Sequence, residues 1–187
     1  MQQQYFLIGT VVAGLVVLAL VAWFLFRRHR TRELTKRFGS EYEHTVAELG
    51  KRTEAEKELE ARAKRVEKLN IHPLPAEERD RFLELWRKAQ AQFVDNPSTS
   101  VAEADRLVMQ VMQARGYPMT DFEQRAADIS VDHGPLVENY RSAHATAVNA
   151  EGGTASTEDL RQAMVHYRDM FEDLLQVSER EPEPVAG

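Results

Sequence analysis

The feature that most constrains this chain is an unbroken run of 22 uncharged residues from Tyr5 to Phe26. A helix of that length spans about 30 Å, the thickness of the hydrocarbon core of a bilayer. Tyr5 and Trp23 lie near its two ends, where aromatic side chains prefer the headgroup level. The run predicts a transmembrane helix at 5–26, preceded by a short extracytoplasmic tail at 1–4.

A cleaved signal peptide is the alternative interpretation of this run. The leading Met-Gln-Gln-Gln contains no basic residue, whereas a signal peptide begins with a basic region and has an apolar stretch of only about 7–15 residues. Basic residues also follow the run immediately. The sequence therefore favours an anchor that is retained.

Small residues recur four positions apart within the run, as Gly9 with Ala13 and Thr10 with Gly14. Such pairs let two transmembrane helices approach closely, so a homodimer is one interpretation. The other is that small residues are simply tolerated in lipid. The sequence leaves both open.

A basic segment at 27–37 follows the apolar run. Its six Lys or Arg residues against one Glu are Arg27, Arg28, Arg30, Arg32, Lys36 and Arg37. Positive charge beside a spanning helix stays in the cytoplasm, which predicts an inner-membrane protein with a cytoplasmic C-terminal domain. The same residues could bind anionic lipid, or they could serve only as the topology signal.

The rest of the chain is acidic and has no cysteine. Because the whole chain carries −6 and residues 27–37 contribute +5, residues 38–187 carry −11. Nucleic-acid binding depends on clustered Lys and Arg, so no nucleic-acid partner is expected. The lack of cysteine excludes disulfides, thiolate nucleophiles and Cys-ligated metals.

Residues 38–70 are dense in Glu, Lys, Arg and Ala. Their apolar positions form a thin stripe: Tyr42, Val46, Leu49, Leu59, Val66 and Leu69. Gly50 interrupts the stripe, which is too sparse for a stable coiled coil. We expect one long helical stalk that associates weakly with itself.

Residues 75–177 predict a bundle of about five helices. Apolar residues recur at helical spacing in five stretches, which are 82–93, 101–112, 122–129, 137–147 and 160–175. Ser100 and Thr120 each precede a Glu by three positions, as in a capping box, and Ser156 or Thr157 caps the last helix. The third helix should end near Ser130. The tail at 178–187 should be disordered, so the fold class is all-α.

The segment 115–133 is the best candidate for a protein-binding surface, because charged, aromatic and turn-forming residues alternate within it. The candidate partner-binding residues are Arg115, Tyr117, Asp121, Phe122 and Arg125. The alternative is structural, with Asp121 and Glu123 stabilising a helix start and Arg125 pairing with a neighbouring acid.

Four residues are candidate metal ligands, namely Asp132, His133, His144 and His166. Imidazole with carboxylate suits zinc or iron, but no HExxH or repeated Glu-x-x-His motif is present. His144 lies on the apolar stripe of its helix, which favours a hydrogen-bonded core histidine. We expect no cofactor and no catalytic residues.

The residues Arg115-Gly-Tyr-Pro118 and Asp121-Phe-Glu-Gln-Arg-Ala-Ala-Asp128 resemble a group of uncharacterised bacterial proteins. The resemblance extends over about 38–175. Members usually have an N-terminal apolar segment and are named hypothetical or secreted proteins. The resemblance implies a bacterial source, no assigned activity and no functional residues.

Together these features predict a single-pass membrane protein that is not an enzyme. Its cytoplasmic helical domain would act as a scaffold or adaptor by binding another protein. The alternative is a small-molecule or metal-binding helical domain, which could be catalytic.

Overall fold

The computed structural model of the protein describes residues 2–176, without the side chains of 2–14, Val16 and Gln176. The predicted tail at 178–187 lies outside the described residues, as does Met1 of the predicted tail at 1–4. The described chain is all-α, as predicted, and contains no strand. Its seven helices are α1 Gln2–Phe38, α2 Ser40–Leu49, α3 Arg52–Val66, α4 Ala76–Gln92, α5 Pro97–Ala114, α6 Phe122–Glu151 and α7 Thr157–Gln176.

Helix α1 joins an exposed apolar part to the folded domain without a break. From Leu15, 61% exposed, to Phe26, 67% exposed, its large apolar side chains with described surroundings are all uncovered. Farther along the same helix, Leu34 and Phe38 are buried. The end of α1 is therefore part of the domain's core.

No helix within the described residues is both long enough and apolar enough to cross a membrane. The predicted transmembrane helix at 5–26 and the small-residue pairs at 9–14 depend in large part on side chains outside the description. Both stay predictions.

The stalk expected at 38–70 is replaced by two short helices that fold back on each other. Gly50, with φ 70°, ends α2 in the left-handed conformation and donates its N–H to the carbonyl of Val46. Glycine adopts this conformation without the steric cost that a side chain imposes. The prediction of one long helix was wrong, because Gly50 reverses the chain rather than merely interrupting the stripe.

The thin stripe of α2 and α3 faces a small core. This core contains Leu34, Phe38, Tyr42, Leu59, Ala63, Val66 and Val131. Val131 comes from α6, so α1, α2 and α3 share one set of apolar contacts with the C-terminal bundle. A sparse stripe is sufficient because two other helices, α1 and α6, complete the core around it.

The main core lies among α4, α5, α6 and α7. Helix α7 is central to it, and Tyr167, Met170 and Phe171 are fully buried. The ring of Trp86 on α4 stacks on Phe171 with 4.6 Å between ring centroids. Stacked aromatic pairs add to the stabilisation from apolar burial, so α7 ties the outer helix α4 to the bundle.

Helix α6 is divided by a kink close to the boundary that the sequence predicts between two helices. The kink is at His133, with φ −125° and ψ 29°, and Pro135 follows inside the helix. A proline lacks the N–H that would bond to the preceding turn, which explains the local break. The helix resumes after Pro135, so the predicted boundary between two helices is present at His133, three positions beyond the expected end near Ser130. With the two halves of α6 counted separately, residues 75–176 contain the five predicted helices.

A close approach of backbones fixes this kink against the end of α1. A Cβ atom added at Gly134 would lie 2.5 Å from the carbonyl oxygen and 2.8 Å from the Cα of Phe38. Only glycine allows backbones to approach this closely. The kink thus serves as the docking point between α6 and α1.

The predicted helix starts are partly correct. Ser156 does cap α7, since its hydroxyl accepts from the N–H of Asp159 at 3.2 Å. The cap of α6 is Asp121 rather than Thr120. Ser100 is not a cap, because α5 already begins at Pro97 and the Ser100 side chain is buried.

Candidate binding groove between α1 and α3

A groove of about 670 Å³ runs between α1 and α3, next to the exposed apolar part of α1. Two aromatic side chains, three arginines and one threonine of α1 line it together with two residues from the first two turns of α3. The lining residues are Trp23, Phe24, Arg27, Arg28, Thr31, Arg32, Arg52 and Glu56. The groove is therefore apolar at one end and basic along its length.

Helical spacing explains why these α1 residues share one side. Phe24, Arg28 and Arg32 lie four positions apart, as do Trp23 and Arg27, and residues at this spacing fall on one face of a helix. The Arg27 guanidinium lies over the Trp23 ring, 5.1 Å from its centroid. This cation–π contact holds Arg27 beside the aromatic end of the groove.

The acidic residue of the groove is engaged by hydroxyl groups. Glu56 Oε1 accepts hydrogen bonds from Thr31 Oγ1 at 2.6 Å and from Tyr42 Oη at 3.2 Å. Burial, reinforced by the Glu56 charge, raises the pKa of Tyr42, so this hydroxyl stays protonated and keeps donating. Glu56 thus joins α1, α2 and α3 at the floor of the groove.

The arginines of the groove, in contrast to Glu56, have no side-chain partner in the described part of the chain that accepts their hydrogen bonds. Arg27, Arg28, Arg32 and Arg52 are exposed, and none forms an ion pair with another described residue. With Glu56 counted, the lining carries a net charge of +3. Four guanidinium groups along one groove suit a phosphate or carboxylate ligand, whose oxygens can accept bidentate hydrogen bonds.

The predicted lipid-binding residues fall into three sets in the structure. Arg27, Arg28 and Arg32 line the groove, whereas Arg30 forms an ion pair with Glu60 of α3. Arg37 donates from Nε to the carbonyl of Val131 at 3.2 Å and lies 3.9 Å from Asp132. Arg30 thus connects α1 to α3, and Arg37 connects α1 to α6.

Lys36 is exposed on α1 and does not line the groove. Arg52 is the groove residue that sequence reasoning missed. It lies 20 positions after Arg32 in the sequence, and only the reversal of the chain at Gly50 brings it back to α1.

Three of the predicted partner-binding residues have structural contacts. Arg115 is buried and donates from Nη1 to the carbonyl of Leu174 at 3.1 Å. Tyr117 is also buried, and its hydroxyl donates to Asp132 Oδ2 at 3.4 Å. Neither side chain can touch a partner while the fold is intact. Asp121 is exposed, but its carboxylate caps α6.

Phe122 and Arg125 belong to a polar and aromatic cluster between α5, α6 and α7. Phe122 stacks on His144 with 3.8 Å between ring centroids, and Arg125 Nη1 donates to the carbonyl of Thr120 at 2.5 Å. Asp105 Oδ1 accepts from the Tyr167 hydroxyl at 2.8 Å and lies 3.4 Å from His144 Nδ1. His144 is therefore a hydrogen-bonded histidine at the edge of the core, as predicted.

The four candidate metal ligands have separate partners. His133 pairs with Asp173 and Asp132 with Tyr117, while His166 contacts Gln162 with 2.9 Å between the two Nε2 atoms. His144 pairs with Asp105. Across residues 2–176, no group of three or more His, Asp or Glu side chains is arranged to hold a metal ion.

No protein-family model, curated protein or solved structure matches the chain significantly. The resemblance carried by the 115–128 motif stays an expectation.

Proposed function

We propose that the protein is a single-pass membrane-anchored adaptor whose helical domain binds another protein. One observation carries the anchoring: the exposed apolar part of α1 continues as the same helix through the basic segment into the buried Leu34 and Phe38. Apolar side chains exposed on every side of a helix form a patch far larger than water-soluble surfaces usually carry. A bilayer would cover them.

The charges of 27–37 support a cytoplasmic location for the domain and an inner-membrane location for the chain. The basic residues follow the apolar run directly, while residues 1–4 carry no charged side chain. In this orientation the groove between α1 and α3 faces the cytoplasmic leaflet.

Partner binding is supported by a second groove, of about 560 Å³, between α4 and α5. Leu85 and Ala114 supply apolar surface, and Arg81, Gln110 and Gln113 supply polar groups. Phe82 lies beneath them and is almost fully buried. An amphipathic helix of a partner suits such a surface. Its apolar side chains can pack on the floor of the groove, and its polar side chains can form hydrogen bonds with the glutamine amides at the rim. The α4 and α5 side of the bundle is also the side that α1, α2 and α3 leave free.

Alkaline extraction of membranes tests the anchor. The full chain should remain in the membrane fraction, whereas a variant with Leu15→Lys and Leu18→Lys should be released, because each charge costs about 2.5–3.5 kcal/mol near the centre of a spanning helix. Val94→Lys is the matched control, since Val94 is 86% exposed and far outside the apolar run. Equal retention of the two variants would contradict anchoring by α1.

Site-specific photo-crosslinking in native membranes tests the adaptor role. A crosslinker at the exposed Gln113 should capture one discrete protein, and a crosslinker at the exposed Glu43 of α2 should not. The captured protein, once purified, should form the same adduct with the purified chain. Identical products from both positions would count against a specific partner at this groove.

A further inference from the structure

We propose that the groove between α1 and α3 is a defined binding site for the phosphate of an anionic lipid headgroup. This inference rests on the proposed membrane anchoring and names a ligand for its cytoplasmic side. A basic segment that serves only as a topology signal needs positive charge near the membrane and no defined arrangement of side chains. Here three arginines of α1 are completed by Arg52 from another helix, which topology does not require.

The depth of the groove fits a headgroup. If the hydrocarbon boundary is at Phe26, then Arg27, Arg28 and Arg32 lie about 2–9 Å beyond it, at about 1.5 Å per residue. The headgroup layer on each side of a bilayer is about 5–8 Å thick. The arginines would therefore span the level of the lipid phosphates. Trp23 and Phe24 would lie at the boundary, where aromatic rings prefer to be.

The charge of the groove selects an anion despite Glu56. One oxygen of that carboxylate already accepts two hydroxyl hydrogen bonds, from Thr31 and Tyr42. The arginines keep their donors free, so the net charge of +3 is available to a ligand. A phosphodiester offers two oxygens that accept hydrogen bonds, and two guanidinium groups can bind them from opposite walls of the groove.

Arg52 provides the test, because it belongs to the groove but not to the basic segment of α1. The full chain is reconstituted in phosphatidylcholine nanodiscs that contain spin-labelled phosphatidylglycerol, and the affinity for the labelled lipid is measured. Arg52→Ala should weaken this affinity about fivefold, which corresponds to about 1 kcal/mol for one basic residue at the surface. Lys57→Ala removes the same charge from an exposed position of α3 outside the groove and should change little.

Equal weakening by Arg52→Ala and Lys57→Ala would overturn the proposal, since it would show diffuse attraction without a site. Inorganic phosphate provides a second arm. When it is added to the nanodiscs that contain the labelled lipid, it should fail to displace that lipid. Displacement, together with a change in Trp23 fluorescence in nanodiscs of phosphatidylcholine alone, would make free phosphate the ligand. A chain that is not retained in nanodiscs fails the anchoring proposal itself, whereas a retained chain that shows no preference for phosphatidylglycerol fails only this one.

Discussion

Arg65 of α3 donates two hydrogen bonds to one carboxylate oxygen of Asp128 in α6, at 2.8 Å from Nε and 2.6 Å from Nη2. Asp128 is almost fully buried, and Gln124 Nε2 donates to the same oxygen at 2.9 Å. The pair joins the two-helix unit of α2 and α3 to the C-terminal bundle.

Asp128→Asn should lower the free energy of unfolding by about 1–2 kcal/mol, because the ion pair with Arg65 becomes a hydrogen bond from the guanidinium to a neutral amide oxygen. Arg65 is 40% exposed, so solvent screens part of the pair and a larger loss is not expected. Urea unfolding of the full chain in detergent micelles measures the change. Arg161→Ala, which removes only an exposed pair with Glu158, should leave the stability nearly unchanged. An equally small effect of Asp128→Asn would show that the pair does not stabilise the junction.

Glu41→Ala should destabilise the protein by about 1–3 kcal/mol, because two largely buried guanidinium groups lose their shared carboxylate and keep only the more exposed Glu58 or Glu123. Glu41 Oε1 accepts from Arg62 Nη1 at 2.9 Å and from Arg141 Nη2 at 3.2 Å. Thermal unfolding in micelles provides the measurement. Glu43→Ala, an exposed acid on the same helix, is the control, and similar melting of both variants would refute this role of Glu41.

Gly134→Ala should lower stability by about 1–3 kcal/mol, as expected when a methyl group is forced into a packed site. The new Cβ would meet the backbone of Phe38 at 2.5–2.8 Å, and backbone cannot rotate away as a side chain can. Gly152→Ala is the matched control, since its Cβ would have only one neighbour, the Asn149 carbonyl oxygen at 3.5 Å. If chemical denaturation gives the same midpoint for both variants, α1 and α6 are not packed as closely as described.

Stability should fall as the pH rises above 10. Burial first, and then the Asp105 charge, raises the pKa of Tyr140 from 10.0 to about 12, while the nearby Arg125 opposes this. Between these two values the unfolded chain loses the tyrosine proton and the folded chain keeps it, so the free energy of unfolding decreases with pH. Burial also raises the pKa of Tyr42, Tyr117 and Tyr167.

Denaturant unfolding at a series of alkaline pH values measures this slope. Tyr140→Phe removes one ionisable group and should make the decrease between pH 10.0 and about 12 shallower than in the unchanged chain. An unchanged slope in the variant would mean that Tyr140 titrates normally in the folded state.

The local pattern of the sequence predicts the helices and the main core well. Phe82, Trp86 and Tyr167 stand at helical spacing in strongly apolar stretches, and all three are buried. Such stretches need no knowledge of the partner element, because the face to be buried is evident within a single helix.

Long-range pairing is what the sequence did not reveal. Val131 completes the core of α2 and α3 although it lies 89 positions after Tyr42 in the sequence. No pattern within 38–70 indicates that distant partner, so a sparse stripe resembles an extended stalk. The groove was only half predicted for the same reason: Arg27, Arg28 and Arg32 follow from local charge, while Arg52 requires the chain reversal.

The unbroken course of α1 has a mechanical consequence. A flexible linker would let the domain rotate freely beside the bilayer, but Leu34 and Phe38 fix the helix in the core. Its 37 residues form a lever about 55 Å long at about 1.5 Å per residue. Under the proposed anchoring, any tilt of the apolar part of α1, for example in a thinner bilayer, would swing the α4 and α5 surface through a matching arc. The distance of that surface from the bilayer would then depend on the thickness of the membrane.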